Sequence, residues 1–271
     1  MFSNFRRRLE TYLEPLDVLE WAYAALILVG WNAVRSRGLR AFSEVSRWPG
    51  QAFAVWYLLS NDHFVPLDRT TVIPDLVASA EGTILEPGPG LGNQIPRFNK
   101  AKVKHIYGVE INEVFAHGME FNGTFYRTLQ TVVDRCGLGE KYTIIHSGVE
   151  RSDVLEEHGI MPGSIDTIVS IQVLCSVAQP ETVMKNFYRL LKPGGKLIFW
   201  EHTRSYDWAT RIVQNLWTIP WKFFLGGCRL NRDIIQIIMS AGVWEGADSI
   251  QRLEEEPWDI MPTVWGTLVK P

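Results

Sequence analysis

Cysteine is scarce in this chain: Cys136, Cys175 and Cys228 are the only three among 271 residues, with 38 and 52 residues between them. An odd count without a close pair excludes a disulfide scaffold, a zinc knuckle and a redox CxxC, and it points to a reducing compartment. A basic surplus is also missing. Lys and Arg number 27 against 30 Asp and Glu, a net charge of −3, so no nucleic-acid partner is expected, because phosphate-backbone binding needs a positive balance. The first apolar run, Trp21 to Val34 (WAYAALILVGWNAV), has 14 residues, short of the roughly 20 that cross a hydrocarbon core. There is no internal repeat and no low-complexity linker. Tryptophan is absent between residues 57 and 199 although the chain has eleven: four precede that stretch and seven follow it.

With 46% hydrophobic and 12% aromatic residues, the chain has the material for one large core. Its charge is unevenly placed. Residues 1–50 hold seven Arg and five acids, and the remainder holds 20 basic and 25 acidic residues. Arg6, Arg7 and Arg8 flank the apolar run on one side and Arg35, Arg37 and Arg40 on the other, and a second apolar stretch, Ala52 to Leu59, follows a Trp-Pro-Gly break. Two short apolar pieces with Trp at their edges and Arg alongside fit helices lying in one leaflet of a membrane. The alternative is a pair of helices packed on the main domain. Glu10, Glu14, Asp17 and Glu20 argue against a secretory signal. We expect a helical membrane-contact or lid region over residues 1–70 and the main domain over 71–271.

Beyond residue 70 the pattern alternates. Thr83 to Glu86, His105 to Glu110, Tyr142 to His146, Ile165 to Val173 and Lys196 to Glu201 read as strands. Phe125, Leu129, Val132, Val133 and Cys136 share one predicted helix face, as do Val183, Phe187, Leu190 and Leu191, and later Ile234, Ile237, Ile238 and Ala241. An aromatic segment spans 203–230, and Pro262 to Val269 reads as a last strand. Strands alternating with helices predict an α/β fold, a doubly wound, Rossmann-like parallel sheet whose ligand site lies outside the carboxyl ends of the strands.

The first strand runs into EPGPGLGN, residues 86–93. Gly88, Gly90 and Gly92 permit positive φ and close backbone approach to a ligand, while Glu86 puts a carboxylate at the strand end. Position 93 is Asn where a dinucleotide fingerprint needs Gly, and Glu86 is unfavourable beside a pyrophosphate. A ligand with a cationic amino group and no phosphate, such as S-adenosylmethionine, suits these residues. Glu110 ends the second strand, 22 residues beyond Gly88, where a carboxylate can take both ribose hydroxyls. LLKPGG, residues 190–195, is a helix-stopping turn ahead of the fifth strand.

Over residues 83 to about 200 the chain resembles the class I S-adenosylmethionine-dependent methyltransferases. The resemblance implies a seven-stranded sheet with an antiparallel last strand. It also implies that Glu86, Gly88, Gly90 and Gly92 cradle the methionine part, Glu110 the ribose and Ile111 the adenine. Gly148, Val149 and Glu150 would lie by the adenine, with either Val149 or Glu150 in the place of the family's usual acidic residue. Ile171 and Gln172 would flank the methionine moiety. No metal is implied. VLCSV (173–177), the pair Glu201 and His202, and Trp217, Pro220, Trp221, Leu225, Gly227, Cys228, Leu230 and Arg232 are similar to the methyltransferase-like 7 group of membrane-associated thiol S-methyltransferases. The chain departs from that group in EPGPGLG, where those proteins have a glycine-cysteine-glycine core. The resemblance implies a small lipophilic acceptor, an alkyl thiol first, and a membrane surface facing the cytoplasm at the endoplasmic reticulum or a lipid droplet, with a cytoplasmic location as the alternative. O-, N- or C-methylation of a hydrophobic natural product, quinone or lipid, and a non-catalytic binding subunit, remain as alternatives.

Methyl transfer from a sulfonium needs alignment, water exclusion and, where required, a base. His202 is the first candidate for that base, standing just past the fifth strand at the ligand edge of the sheet; the alternative is an inert, hydrogen-bonded histidine. His63 is a weaker candidate. Trp208, Trp217, Trp221, Phe223 and Phe224 either wall an acceptor pocket, rest against lipid or simply pack. Cys175 and Cys228 are read as small buried residues, with metalloid ligation or a methyl relay as the other readings.

Overall fold

The computed structural model describes residues 2–121, 124–126, 128–253 and 256–271. The chain begins with α1 (Phe2–Leu13), α2 (Pro15–Arg37), a 3-10 segment (Gly38–Arg47), α3 (Trp48–Asp68) and α4 (Ile73–Ala78). The alternating part follows as β1 (Gly82–Pro87), β2 (Val103–Glu110), α5 (Glu113–His117), β3 (Met119–Phe121), β4 (Thr124–Tyr126), α6 (Leu129–Arg135), β5 (Tyr142–His146), α7 (Ser152–Glu157), β6 (Ile165–Ile171), α8 (Pro180–Leu190) and β7 (Leu191–His202). After it come α9 (Trp208–Phe224), α10 (Ile234–Met239), β8 (Gln251–Leu253) and β9 (Thr263–Val269).

Seven strands form one sheet in the order β5-β2-β1-β6-β7-β9-β8. β5, β2, β1, β6 and β7 pair in parallel and β9 runs antiparallel to β7, the topology expected of the class I methyltransferase fold. Helices cover both faces, which is why the central strands are apolar on both sides. Phe187, Leu190 and Ile234 lie in the core on one face, and Ile73, Val77, Leu129 and Val133 in the core on the other. Strand order reverses between β1 and β6, so the crevice opens beyond Pro87 and Ile171.

Three boundaries differ from expectation. β6 stops at Ile171, because Gln172 has φ 60°, a left-handed conformation that no strand continues through. β7 begins at Leu191, which pairs with Ile165 ahead of a register shift. Phe125 lies in β4, paired antiparallel with β3, rather than on the helix of Leu129 and Val133. The Thr128 hydroxyl accepts from the Thr131 N–H and starts α6 there, which overrides the i, i+4 spacing.

α2 and α9 are inverted relative to ordinary surface helices. α2 buries Ala22, Ala25, Val29, Gly30 and Ala33 and exposes Trp21, Tyr23, Ile27 and Trp31. α9 buries Thr210, Gln214 and Thr218 while Trp208, Ile212, Leu216, Ile219 and Phe223 face outward. The inward polar groups are satisfied: the Gln214 amide accepts from the Ser205 N–H at 3.0 Å and donates to the Ile260 carbonyl at 3.0 Å. Among the described residues no helix is long and apolar enough to cross a membrane.

Candidate active site

Glu86 sits at the end of β1, buried, opposite Gly108 of β2. The Tyr142 hydroxyl reaches across Gly108 and donates to Glu86 Oε2 at 2.6 Å. A Cβ on Gly108 would overlap the Tyr142 ring, so glycine there makes room for the donor. The other carboxylate oxygen, Oε1, is buried without a hydrogen-bond partner among the described residues. Burial raises the Glu86 carboxyl to about 7 despite the Tyr142 donor, with Glu110 adding to the rise.

Gly88 and Gly90 take φ of 58° and 57°, the conformation in which a side chain costs most. The Gly90 N–H donates to Glu110 Oε2 at 2.8 Å and the Asn112 N–H to Oε1 at 2.8 Å. Burial raises the Glu110 carboxyl, opposed by those backbone donors. Gly92 also has positive φ, but a Cβ there would meet Ile95, Leu129 and Val132. It lets the loop pack on α6 and does not line the cavity, contrary to expectation.

A cavity of about 770 Å³ opens over these strand ends. Glu86, Gly88, Gly90, Glu110, Ile111, Gly148, Val149, Glu150, Ile171, Gln172 and His202, all singled out from the sequence, line it. Its opposite wall comes from α3, inside the region read from the sequence as a membrane-contact or lid segment, with packing on the main domain as the alternative. Phe53, Trp56 and Tyr57 line the cavity, with Phe53 stacked on both other rings. The Asn93 amide donates to the Tyr57 hydroxyl at 3.1 Å, and burial together with Asp68 pushes that hydroxyl up to about 12. Their spacing of 53, 56 and 57 is a helical-face signal, yet nothing local says which surface the face meets. The His63 side chain lies outside the described residues.

The turn after β6 is held by Glu201. Its Oε1 accepts from the Val173 and Leu174 N–H groups at 2.9 and 3.0 Å and from the Ser170 hydroxyl at 2.8 Å. The Gln172 N–H donates to the Trp200 carbonyl at 2.8 Å, and its amide nitrogen lies 3.3 Å from His202 Nε2. Cys175 and Cys228 also line the cavity, their sulfurs 3.4 Å apart. The two thiols shift each other: Cys175 holds the Cys228 thiol below its usual range, and Cys228 together with burial pushes that of Cys175 well above. For His202, burial alone would lower the pKa. It is outweighed by Cys175 and then by the charges of Glu201 and Asp259, so the imidazole holds its proton above the ordinary range.

Of the five aromatic residues considered for the acceptor pocket, only Trp221 lines the cavity. Trp208 is 69% exposed on the outer stripe of α9. The Trp217 ring N–H donates to the Tyr12 carbonyl at 2.9 Å, which ties α9 to α1, and Phe224 meets Tyr23 edge-on at 6.2 Å, which ties it to α2. The helical period decides this: Trp221 shares the inward face with Gln214 and Thr218, and the others point to the flanks or outward.

A model of the methyltransferase domain family matches residues 63–233. The chain belongs to that family. The chain is 33% identical over 119 residues to human thiol S-methyltransferase TMT1B, covering 40% of this chain and 45% of that protein. It is 26% identical over 200 residues to the mitochondrial methyltransferase OMS1 of Saccharomyces cerevisiae, covering 72% of this chain and 39% of that one. The matches thus span less than half the length of these curated relatives. Among solved structures, geranyl diphosphate methyltransferase in complex with GPP and sinefungin shares the fold, with a TM-score of 0.54, 10% identity, and coverage of 76% and 78%. The domain is of the S-adenosylmethionine-dependent kind, and its residues fit that cofactor. A buried carboxylate oxygen lacking a donor and a glycine loop with positive φ are what a ligand with a cationic amino end requires.

Proposed function

We propose that the protein methylates the sulfur of a small lipophilic thiol, with S-adenosylmethionine as donor. When bound, the cofactor supplies an electrophilic methyl group on a sulfonium. Glu86 takes its amino group through Oε1, Gly88 and Gly90 admit the methionine backbone, and Ile171 and Gln172 flank that moiety. Glu110 takes the ribose hydroxyls, while Ile111, Gly148, Val149 and Glu150 enclose the adenine. The observation that carries the acceptor class is the company of His202: its imidazole shares the cavity with Trp221, Leu225 and Met261 and with two thiols. A thiol, with an ordinary pKa near 8.5, needs only modest help to ionise, and a positively biased imidazole beside those apolar side chains gives help of that size. The thiol S-methyltransferase named among the relatives supports the same reading.

The test is incubation of the full chain with methyl-labelled S-adenosylmethionine and a panel of alkyl thiols, phenols, amines and quinones. Label on alkyl thiols is expected, and label confined to phenols or quinones would refute the sulfur acceptor. Glu110→Ala is expected to weaken cofactor binding by roughly 100-fold, the loss of charge-assisted hydrogen bonds worth about 3 kcal/mol in all. Calorimetry with S-adenosylmethionine checks it, and an unchanged affinity would place the ribose elsewhere.

The same reading includes a lipid surface as the source of the acceptor. Large apolar side chains point out from α2 and α9 while alanines and polar groups point in, and Leu39, Phe42 and Val45 are exposed in the intervening 3-10 segment. Burial of such residues in a leaflet is favourable by about 25 cal/mol per Å². Flotation with liposomes is expected to carry the chain upward, and Ile212→Asp with Leu216→Asp to abolish it with cofactor binding unchanged. Equal flotation of the variant would leave the outward stripe of α9 without this role.

A further inference from the structure

Cys175 and Cys228 come from the turn after β6 and the segment after α9, and His202 from the end of β7. The fold brings all three to one corner of the cavity. A sulfur from each cysteine and an imidazole nitrogen lie within 4.8 Å of one another, and the two sulfurs are 3.4 Å apart. Tetrahedral zinc with thiolates at about 2.3 Å and imidazole at about 2.0 Å puts the sulfurs about 3.8 Å apart and each sulfur about 3.5 Å from the nitrogen. Adjustments on the order of 1 Å among the side chains produce that arrangement.

Other features of the corner favour a cation there. His202 Nδ1 is buried and has no hydrogen-bond partner among the described residues, and the Gln172 side-chain amide lies 3.3 Å from Nε2, where its oxygen, once the amide is flipped, accepts the Nε2–H of a histidine that ligates through Nδ1. Two thiolates balance a divalent ion. The Arg232 guanidinium is anchored by the Leu174 and Val177 carbonyls, each at 2.6 Å. Among the described residues the donors number three rather than four, and all three residues line the open cavity. Three protein ligands with one open position is the pattern of catalytic rather than structural zinc, and two cysteines with one histidine is one of its known sets.

We infer that Cys175, His202 and Cys228 bind a zinc-class cation whose fourth position takes the sulfur of the acceptor. A thiol entering that position loses its proton to solvent and stays as a metal-bound thiolate. A sulfur lone pair then attacks the methyl carbon of the sulfonium, forming the new carbon–sulfur bond. The old bond breaks with its electron pair moving to the departing sulfur, which becomes the neutral thioether of S-adenosylhomocysteine. The methylated product is also a neutral thioether, a poorer ligand than a thiolate, and leaves the cation for the next thiol. The fourth-ligand role rests on the thiol reading above; the cation site itself does not.

The experiment uses the full chain, purified without a metal-affinity tag under reducing conditions, loaded with zinc and dialysed. Elemental analysis is expected to give about one zinc per chain, and exchange for cobalt(II) to add thiolate-to-metal absorption. Cys175→Ser with Cys228→Ser is expected to lower zinc affinity by at least about 100-fold and to remove the cobalt band. Cys136→Ser, just past the end of α6 and outside the cavity lining, should keep both. Binding of S-adenosylmethionine by calorimetry reports that each variant is folded. A zinc content under about a tenth per chain, or zinc kept by the folded double serine variant, overturns the cation site. Thiol methylation that continues at the same rate after chelation overturns the fourth-ligand role and leaves the thiol reading standing. Zinc binding with no methylation of any thiol overturns the thiol reading and the fourth-ligand role, with the cation site intact.

Discussion

Glu86→Gln is expected to make the protein more stable and a poorer binder of its cofactor. The carboxyl is raised from 4.5 to about 7, with burial the largest cause, so between those values the native chain holds a proton that the unfolded chain has released. Stability therefore falls as pH rises from about 4.5 to about 7, and the whole cost is present above 7. A shift of that size corresponds to about 3 kcal/mol. An amide keeps the acceptor for the Tyr142 hydroxyl and carries no charge to desolvate. Thermal unfolding at pH 8 should then show a higher Tm for the variant, and the difference should vanish near pH 4. Binding should move the opposite way. The ionised carboxylate is the partner proposed for the amino group, and losing a charged hydrogen bond of about 1.5 to 3 kcal/mol weakens affinity by roughly 10- to 100-fold. Wild-type affinity should fall as pH drops below about 7 through protonation of Glu86, whereas the variant should be flat across that range. A variant with wild-type affinity and pH profile would remove Glu86 from the binding of the amino group.

The part of the site that was legible in the sequence is the part built by strand ends. Glu86, Gly88, Gly90 and Glu110 follow apolar runs directly, and parallel pairing brings such ends to one edge whatever lies between them. What escaped depends on contacts between distant segments. Tyr142 supplies the donor to Glu86 from a strand 56 residues away, and only the bare backbone of Gly108 lets it through. The α3 wall escaped because an apolar face reads alike whether it meets lipid, core or ligand. Gly92 looked like its neighbours because positive φ serves packing and ligand approach equally well. Helix α9 misled for a related reason. Its aromatic content is high all round, and orientation was set by where Gln214 found partners at Ser205 and Ile260. Cys175 and Cys228 were joined in the sequence only as an alternative, metalloid ligation or a methyl relay, because nothing local shows that two sulfurs 53 positions apart touch.

Glu201→Ala is expected to cause the largest loss of stability of any single substitution at the site. Glu201 is fully buried, and one of its oxygens serves the Val173 N–H, the Leu174 N–H and the Ser170 hydroxyl. Truncation strands those donors away from water, at about 1 to 3 kcal/mol each. The raised carboxyl, due first to burial, offsets part of that, because removing a desolvated charge recovers something. A net loss of about 3 kcal/mol or more in urea unfolding is the expected result. The damage should not stop at stability. Those donors close the turn that sends Gln172 to φ 60°, and strain of that kind, about 1 to 3 kcal/mol, persists only where the surroundings enforce it. Released from Glu201, the turn should relax, moving Gln172 off His202 and Cys175 off Cys228. Glu201→Gln separates the two roles of the side chain, charge and acceptor. Its carbonyl oxygen can serve the same donors, so stability close to wild type is expected, with Gln172 still held. A glutamine variant as unstable as the alanine one would mean that the negative charge, rather than the acceptor oxygen, holds the turn.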